Sequence, residues 1–304
     1  MNKHFADELI GGIKRTSCIV VGIDPNFDLM PSFLRPEKVA NVAVSKALVN
    51  FSELIIEAVS DLIPAVKFQS AYYEQFGQAG ISALADSIQL AKKHGLLVIL
   101  DCKRGDIGST SQAYANGYLA GHASLGDGRT FDSNLGVDCV TMNPFLGEDS
   151  VTPFVDTATR FGSGVFILVK TSNPGSGLFM DAHLNDDETI SQRLAHLVTK
   201  WGKPSVGKSG YSCIGAVVGA TYPEEAATLR ALMPHAIFLA PGVGTQGGTI
   251  ETTRACFDSE KSGAIVPISR AITYPTKKTT NEKEFRKAVR DQVVSYNALL
   301  RKSL

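Results

Sequence analysis

Nowhere does this 304-residue chain approach the roughly 20 consecutive apolar residues that a membrane-spanning helix needs. Its first residues, MNKHFADELIGG, lack the apolar core of a secretory signal. An excess of one charge is missing as well. Thirty Lys and Arg offset 30 Asp and Glu, and no basic block of five or more residues occurs, so there is no field to gather nucleic acid or an anionic lipid surface. Cysteine is scarce. The five thiols (Cys18, Cys102, Cys139, Cys213, Cys256) are odd in number, far apart and mostly beside apolar runs, which excludes a disulfide framework and a zinc site and predicts reduced core residues. The six histidines are scattered without metal-ligand spacing, so no metal site is expected. Trp201 and the Phe and Tyr residues form no stacking platform for single-stranded nucleic acid. From these absences a cytoplasmic protein is expected, with neither a membrane nor a nucleic acid as partner.

Apolar residues make up 44% of the chain, which is enough to bury a full core. They recur in eight short runs almost free of polar residues, as strands buried on both faces must be. The runs are Cys18 to Ile23, Ala65 to Phe68, Leu96 to Leu100, Cys139 to Met142, Val165 to Val169, Ile214 to Val218, Ala236 to Ala240 and Ala264 to Ile268. Segments of helical period separate them, among them Val39 to Ser60, Ile81 to His94, Glu188 to Trp201 and Glu224 to Met233. Eight such units predict an α/β fold of one domain, a (β/α)₈ TIM barrel spanning residues 1–304. Long connections are expected over 112–138 and 173–212, the second able to act as a mobile lid. From Asn281 to Leu304 an amphipathic helix is expected, with Val289, Val293, Val294 and Leu299 toward the barrel.

Nearly every run ends in a polar or Gly/Pro cluster, and in a barrel those ends converge on the face where active sites are built. The richest is LLVILDCKRGDIGST, residues 96–110, which leads from a strand into Asp101, Lys103 and Asp106. On an extended strand Asp101 and Lys103 share a side, Cys102 takes the other, and Gly105 lets the chain turn so that Asp106 re-enters the site or reaches a neighbour. A lysine between two carboxylates is held protonated and suits a proton donor, although a salt-bridged strand end would show the same pattern. Lys67 interrupts the second apolar run and needs a partner, for which Asp101 on the neighbouring strand is placed; snorkelling to solvent is the alternative. A phosphate site is suggested by P-G-V-G-T-Q-G-G, residues 241–248, and by Ser269-Arg270 after the last strand.

Taken together, D-C-K-R-G-D-I-G-S-T, the K-F-Q lysine, Thr171-Ser172-Asn173-Pro174-Gly175, and P-G-V-G-T-Q-G-G followed by Arg270 resemble the orotidine 5′-phosphate decarboxylases. The long loops are similar to the bacterial type 2 subgroup. The resemblance implies a decarboxylation of orotidine 5′-phosphate to uridine 5′-phosphate and CO₂ in pyrimidine synthesis, without metal or cofactor. It further implies an alternating charge array of Lys67, Asp101, Lys103 and Asp106, with Lys103 protonating C6. It assigns Asp24 to the ribose, Ser172 to the pyrimidine, and Gln246 and Arg270 to the phosphate. Asp106 and Thr110 would act across the interface of a homodimer with shared active sites.

Three other readings compete. A Mg²⁺-dependent barrel enzyme acting on sugar phosphates shares the D-x-K-x-x-D strand end, but carries an acidic metal ligand where this chain has Lys67. A Schiff-base aldolase would use Lys67 or Lys170 as its nucleophile. A silent nucleotide sensor would have no use for an alternating charge array.

Overall fold

Runs rich in Val, Ile and Leu favour extended backbone because branched side chains pack well on a pleated surface. In the computed structural model, which describes residues 3–184, 187–243, 248–275 and 279–304, all eight predicted runs form strands. They are β1 (Ile19–Ile23), β2 (Ala65–Gln69), β3 (Leu97–Arg104), β4 (Cys139–Met142), β5 (Gly164–Lys170), β6 (Ser212–Val218), β7 (Ala236–Leu239) and β8 (Ala264–Ile268). Each pairs in parallel with its sequence neighbours, and β8 returns to β1 through Ile19–Val266 and Val21–Ile268 to close the barrel. The predicted fold class is therefore observed.

Helices α1 (Phe5–Arg15), α2 (Asn41–Val59), α3 (Gly77–Lys93), α4 (Gly108–Ala115), α5 (Glu148–Phe161), α6 (Ile190–Gly202), α7 (Pro223–Leu232) and α8 (Glu282–Ser303) accompany these strands. Among the described residues no helix is long and apolar enough to cross a membrane. All five cysteines are buried free thiols.

The core has two parts. One lies between strands and helices, where Phe51, Ile55, Phe154 and Phe285 pack against the outward faces of the strands. The other fills the lower barrel interior, where Phe5, Leu9 and Ile10 of α1 meet Val20, Ala65, Ile99, Cys139 and Phe166. Helix α1 thus plugs the N-terminal end of the barrel and leaves the C-terminal end open.

Three details differ from the sequence expectations. In α8 the buried stripe is Phe285, Val289, Val293 and Leu300, whereas Val294 and Leu299 are exposed. One residue is 100° of helix rotation, so Val294, directly after Val293, and Leu299, directly before Leu300, turn away from the contact. The connection after β3 carries an antiparallel hairpin, His122–Ser124 with Thr130–Asp132, beyond α4. Asn185 and Asp186, in the acidic part of the loop after β5, lie outside the described residues.

Candidate active site

Strand alternation builds the site. On β2 and β3 the interior positions run Ala65, Lys67, Gln69 and Ile99, Asp101, and on β4 they run Cys139, Thr141. The first of each set joins the apolar plug, and the later ones turn polar toward the open end. They meet at a cavity of about 290 Å³ whose wall includes Asp24, Lys67, Gln69, Asp101, Lys103, Ser172, Gly242 and Arg270.

Asp101 is the hub. Its Oδ2 accepts from Lys67 Nζ at 2.9 Å and Gln69 Nε2 at 3.1 Å, and its Oδ1 accepts from Lys103 Nζ at 2.6 Å and Thr141 Oγ1 at 2.9 Å. Four donors satisfy the accepting capacity of an ionised carboxylate. Burial by itself would raise the Asp101 carboxyl, but Lys67 and then Lys103 outweigh it and hold the group well below the usual carboxylate range. Desolvation likewise works against the buried Lys67 ammonium, yet Asp101 and then Asp24 more than offset it and hold the lysine above its ordinary value. Lys67 therefore pairs across strands instead of snorkelling. Lys103, with 44% of its side chain exposed, stands at the mouth.

The shared side of Asp101 and Lys103 does not arise from regular alternation. The β3–β4 register shifts between the Leu100–Val140 and Arg104–Met142 pairs, and Lys103 adopts φ +46°. Left-handed backbone at a residue with a side chain costs on the order of 1 kcal/mol. The chain leaves β3 after Arg104, at Gly105, but without a left-handed φ there: the left-handed residue is Lys103 within the strand, and Gly105 is required because a Cβ there would lie 2.5 Å from the carbonyl oxygen of Asn143. Cys102 faces away from the site as expected. Desolvation pushes its thiol up to about 11, so it is packed and unreactive.

Asp24 follows β1, and its buried Oδ1 has no hydrogen-bond partner among the described residues. The flanking backbone is clamped by Tyr274, whose hydroxyl donates to the Asp24 carbonyl and accepts from the Asn26 amide, both at 2.7 Å. Ser172, buried after β5, is seated by two glycines: a Cβ on Gly219 would lie 2.8 Å from Ser172 Cα, and Gly242 sits at φ +125° against its Cβ. Arg270 opens the short helix Arg270–Thr273 after β8 and joins the wall. Gln246 lies outside the described residues.

Asp106 and Thr110 are not part of the cavity wall. Asp106 Oδ1 accepts from the Ile107 amide at 2.7 Å, and Thr110 is exposed on α4. Sequence reasoning missed Gln69, Thr141 and Tyr274. Gln69 could have been found by strand period, two residues beyond Lys67, and Thr141 as the polar member of a four-residue apolar run; Tyr274 carries no such signal. Lys170, the alternative nucleophile, is buried in an ion pair with Asp181 and lies 4.6 Å from the centre of the Tyr222 ring. Its ammonium is taken up by Asp181 and is not part of the cavity wall, so it does not face a substrate bound there. Among the described residues no three His, Cys, Asp or Glu side chains group as a metal ion would require.

Residues 46–285 match the family profile described as Orotidine 5′-phosphate decarboxylase / HUMPS family. An orotidine 5′-phosphate decarboxylase of Rhodopirellula baltica is 42% identical over 305 residues, covering 98% of this chain and 99% of its own. One from Caldicellulosiruptor bescii is 40% identical over 280 residues, covering 90% of each. Among solved structures, the OMP decarboxylase of Leishmania donovani is similar at a TM-score of 0.71 and 26% identity, over 97% of this chain and 99% of that one.

Proposed function

The chain belongs to the orotidine 5′-phosphate decarboxylase / HUMPS family, and on that premise we propose that it is a carboxy-lyase converting orotidine 5′-phosphate to uridine 5′-phosphate and CO₂. The observation that carries this reading is the Lys67–Asp101–Lys103 array, with Asp101 at 2.9 Å and 2.6 Å from the two ammoniums in the cavity wall.

Losing CO₂ from C6 leaves an electron pair in the plane of the pyrimidine ring, beyond the reach of its π system. A fixed cation beside C6 is therefore the means of lowering the barrier. Lys103 supplies that cation while the C–C bond breaks, and once CO₂ has left it gives its proton to the electron pair at C6, forming the new C6–H bond. Asp101 both fixes Lys103 and presents negative charge to the departing carboxylate, a repulsion relieved as CO₂ leaves. The unpartnered Asp24 oxygen fits a ribose hydroxyl donor, Ser172 the pyrimidine edge, and Arg270 with the loop after β7, Gln246 included, the phosphate. Binding energy from the phosphate end orders the site around C6. No step calls for a metal or cofactor. The sugar-phosphate members of the family would need a divalent ion near the second strand, where the Lys67 ammonium repels one.

One barrel domain supplies this machinery, working in the cytoplasm as a homodimer in which Asp106 and Thr110 complete the partner's site. Supporting this, the loops after β3 and β4 are joined by the Asn143 amide donating to the Arg104 carbonyl at 2.8 Å. These loops expose Ile107, next to Asp106 in the chain, and Phe145, at 62% and 85%, together with Leu146. Exposed apolar side chains of this size are a mark of an interaction surface.

The test is the ultraviolet absorbance change on mixing purified protein with orotidine 5′-phosphate in excess EDTA, with Lys103→Ala as control and the oligomeric state read by sedimentation. Turnover insensitive to EDTA, lost by at least about 10³-fold in the control, from a protein sedimenting as a dimer, is the expected result. No conversion by folded wild-type protein sinks the decarboxylase reading, and full activity from a monomer sinks the shared site.

A further inference from the structure

Thr141 lies outside the cavity wall and contributes no atom to it, yet its hydroxyl joins the two groups whose relative placement the reaction depends on. It is fully buried on β4, one interior position above Cys139. Its Oγ1 donates to Asp101 Oδ1 at 2.9 Å and accepts from the backbone amide of Lys103 at 2.9 Å. A hydroxyl has one proton to give. With that proton on the carboxylate, a lone pair remains for the amide, so the bridge has a single polarity.

The bridge also has a reason in the backbone. Where the β3–β4 register shifts, three β3 residues, Asp101 to Lys103, stand opposite Thr141 alone. A bulged residue loses its ladder partner, and a buried amide without an acceptor is costly. The Thr141 side chain supplies the acceptor that the β4 main chain does not. Lys103 holds its left-handed φ of +46° with its amide tied to the strand and its ammonium tied to Asp101, the carboxylate that Thr141 also fixes.

We propose that Thr141 is a positioning residue for the decarboxylation: its hydroxyl sets where the Asp101 carboxylate and the Lys103 ammonium stand relative to C6. This rests on the reading of Lys103 as proton donor. Because Thr141 contributes nothing to the cavity wall and its hydroxyl bonds only Asp101 and the Lys103 amide among the described residues, its loss slows turnover while leaving substrate affinity in place.

Two pairs isolate the hydroxyl. Wild type against Thr141→Val removes it with the branched shape kept, and Thr141→Ser against Thr141→Ala removes it in the absence of the methyl. We expect kcat to fall by about 10- to 100-fold within each pair, with KM within about threefold and Thr141→Ser close to wild type, since small misplacements of a reacting group carry penalties of this order. Hydroxyl-free variants whose kcat stays within threefold of their partners overturn the proposal. So does a Thr141→Ser variant as slow as Thr141→Val, a change confined to KM, or failure of both hydroxyl-free variants to fold. If only Thr141→Val fails to fold, the Ser and Ala pair decides. Lys103→Ala run in parallel separates the two readings: a control that still turns over removes Lys103 as donor, whereas a dead control beside an unaffected Thr141→Val removes Thr141 alone.

Discussion

The two ends of the barrel interior are built on the same strands, yet they obey opposite rules. At the lower end Phe5, Leu9 and Ile10 pack against Ala65, Ile99 and Cys139, and Phe5 meets Phe166 edge-on at 6.0 Å. Two residues further along, the same strands present Lys67, Asp101 and Thr141. Burying hydrocarbon stabilises the fold, whereas burying a charge opposes it unless every partner is in place. Two residues of strand, about 7 Å, therefore separate a region selected for packing from one retained for chemistry.

Truncation at each end sharpens the contrast. Asp101→Ala strips the buried Lys67 of its partner and Lys103 of its anchor, so turnover should vanish and stability to urea should drop by about 3–5 kcal/mol. If the variant keeps wild-type stability, the array is not the coupled unit described above. Leu9→Ala should cost about 2–5 kcal/mol through its cavity, with kcat and KM unchanged at temperatures where the variant is folded. A kcat that falls with Leu9→Ala would mean that the plug and the array are not independent.

The smallest difference should appear in acid. The Asp101 carboxyl is depressed in the fold, so its contribution to stability is complete above the ordinary value of 3.8 and is lost as pH falls below it toward the folded value. Urea titrations repeated from pH 5 to pH 3 should show wild type and Leu9→Ala losing stability in parallel. Asp101→Asn should give a shallower decline, and equal slopes for all three would remove Asp101 from the acid response.

How much of this was legible beforehand depended on the range of the interaction. The eight strands could be read because burial on both faces forces an unbroken apolar run, a local property. Pairing of Lys67 with Asp101 was legible because adjacent parallel strands bring interior positions of like kind together. The α8 stripe went partly astray at Val294 and Leu299, because composition alone leaves the rotation of a helix about its axis open by one residue. The chain leaves the strand at Gly105 as expected, but the glycine there answers to Asn143, 38 positions away, and not to its own dihedral freedom, while the left-handed residue is Lys103. Tyr274 clamps Asp24 across 250 positions, a separation no local pattern reports.

What the sequence determined by itself was the alternation of strand and helix, the interior parity of each strand, and the cluster of charged residues at the strand ends, all consequences of hydrophobic period and of chain direction. Only the tertiary structure decided that Asp101 is the common acceptor of Lys67, Gln69, Lys103 and Thr141, that Lys103 takes a left-handed backbone, and that Tyr274 holds the Asp24 loop. Hydrogen bonds act within about 3 Å and in fixed directions, so they are settled by closure of the barrel and not by spacing along the chain.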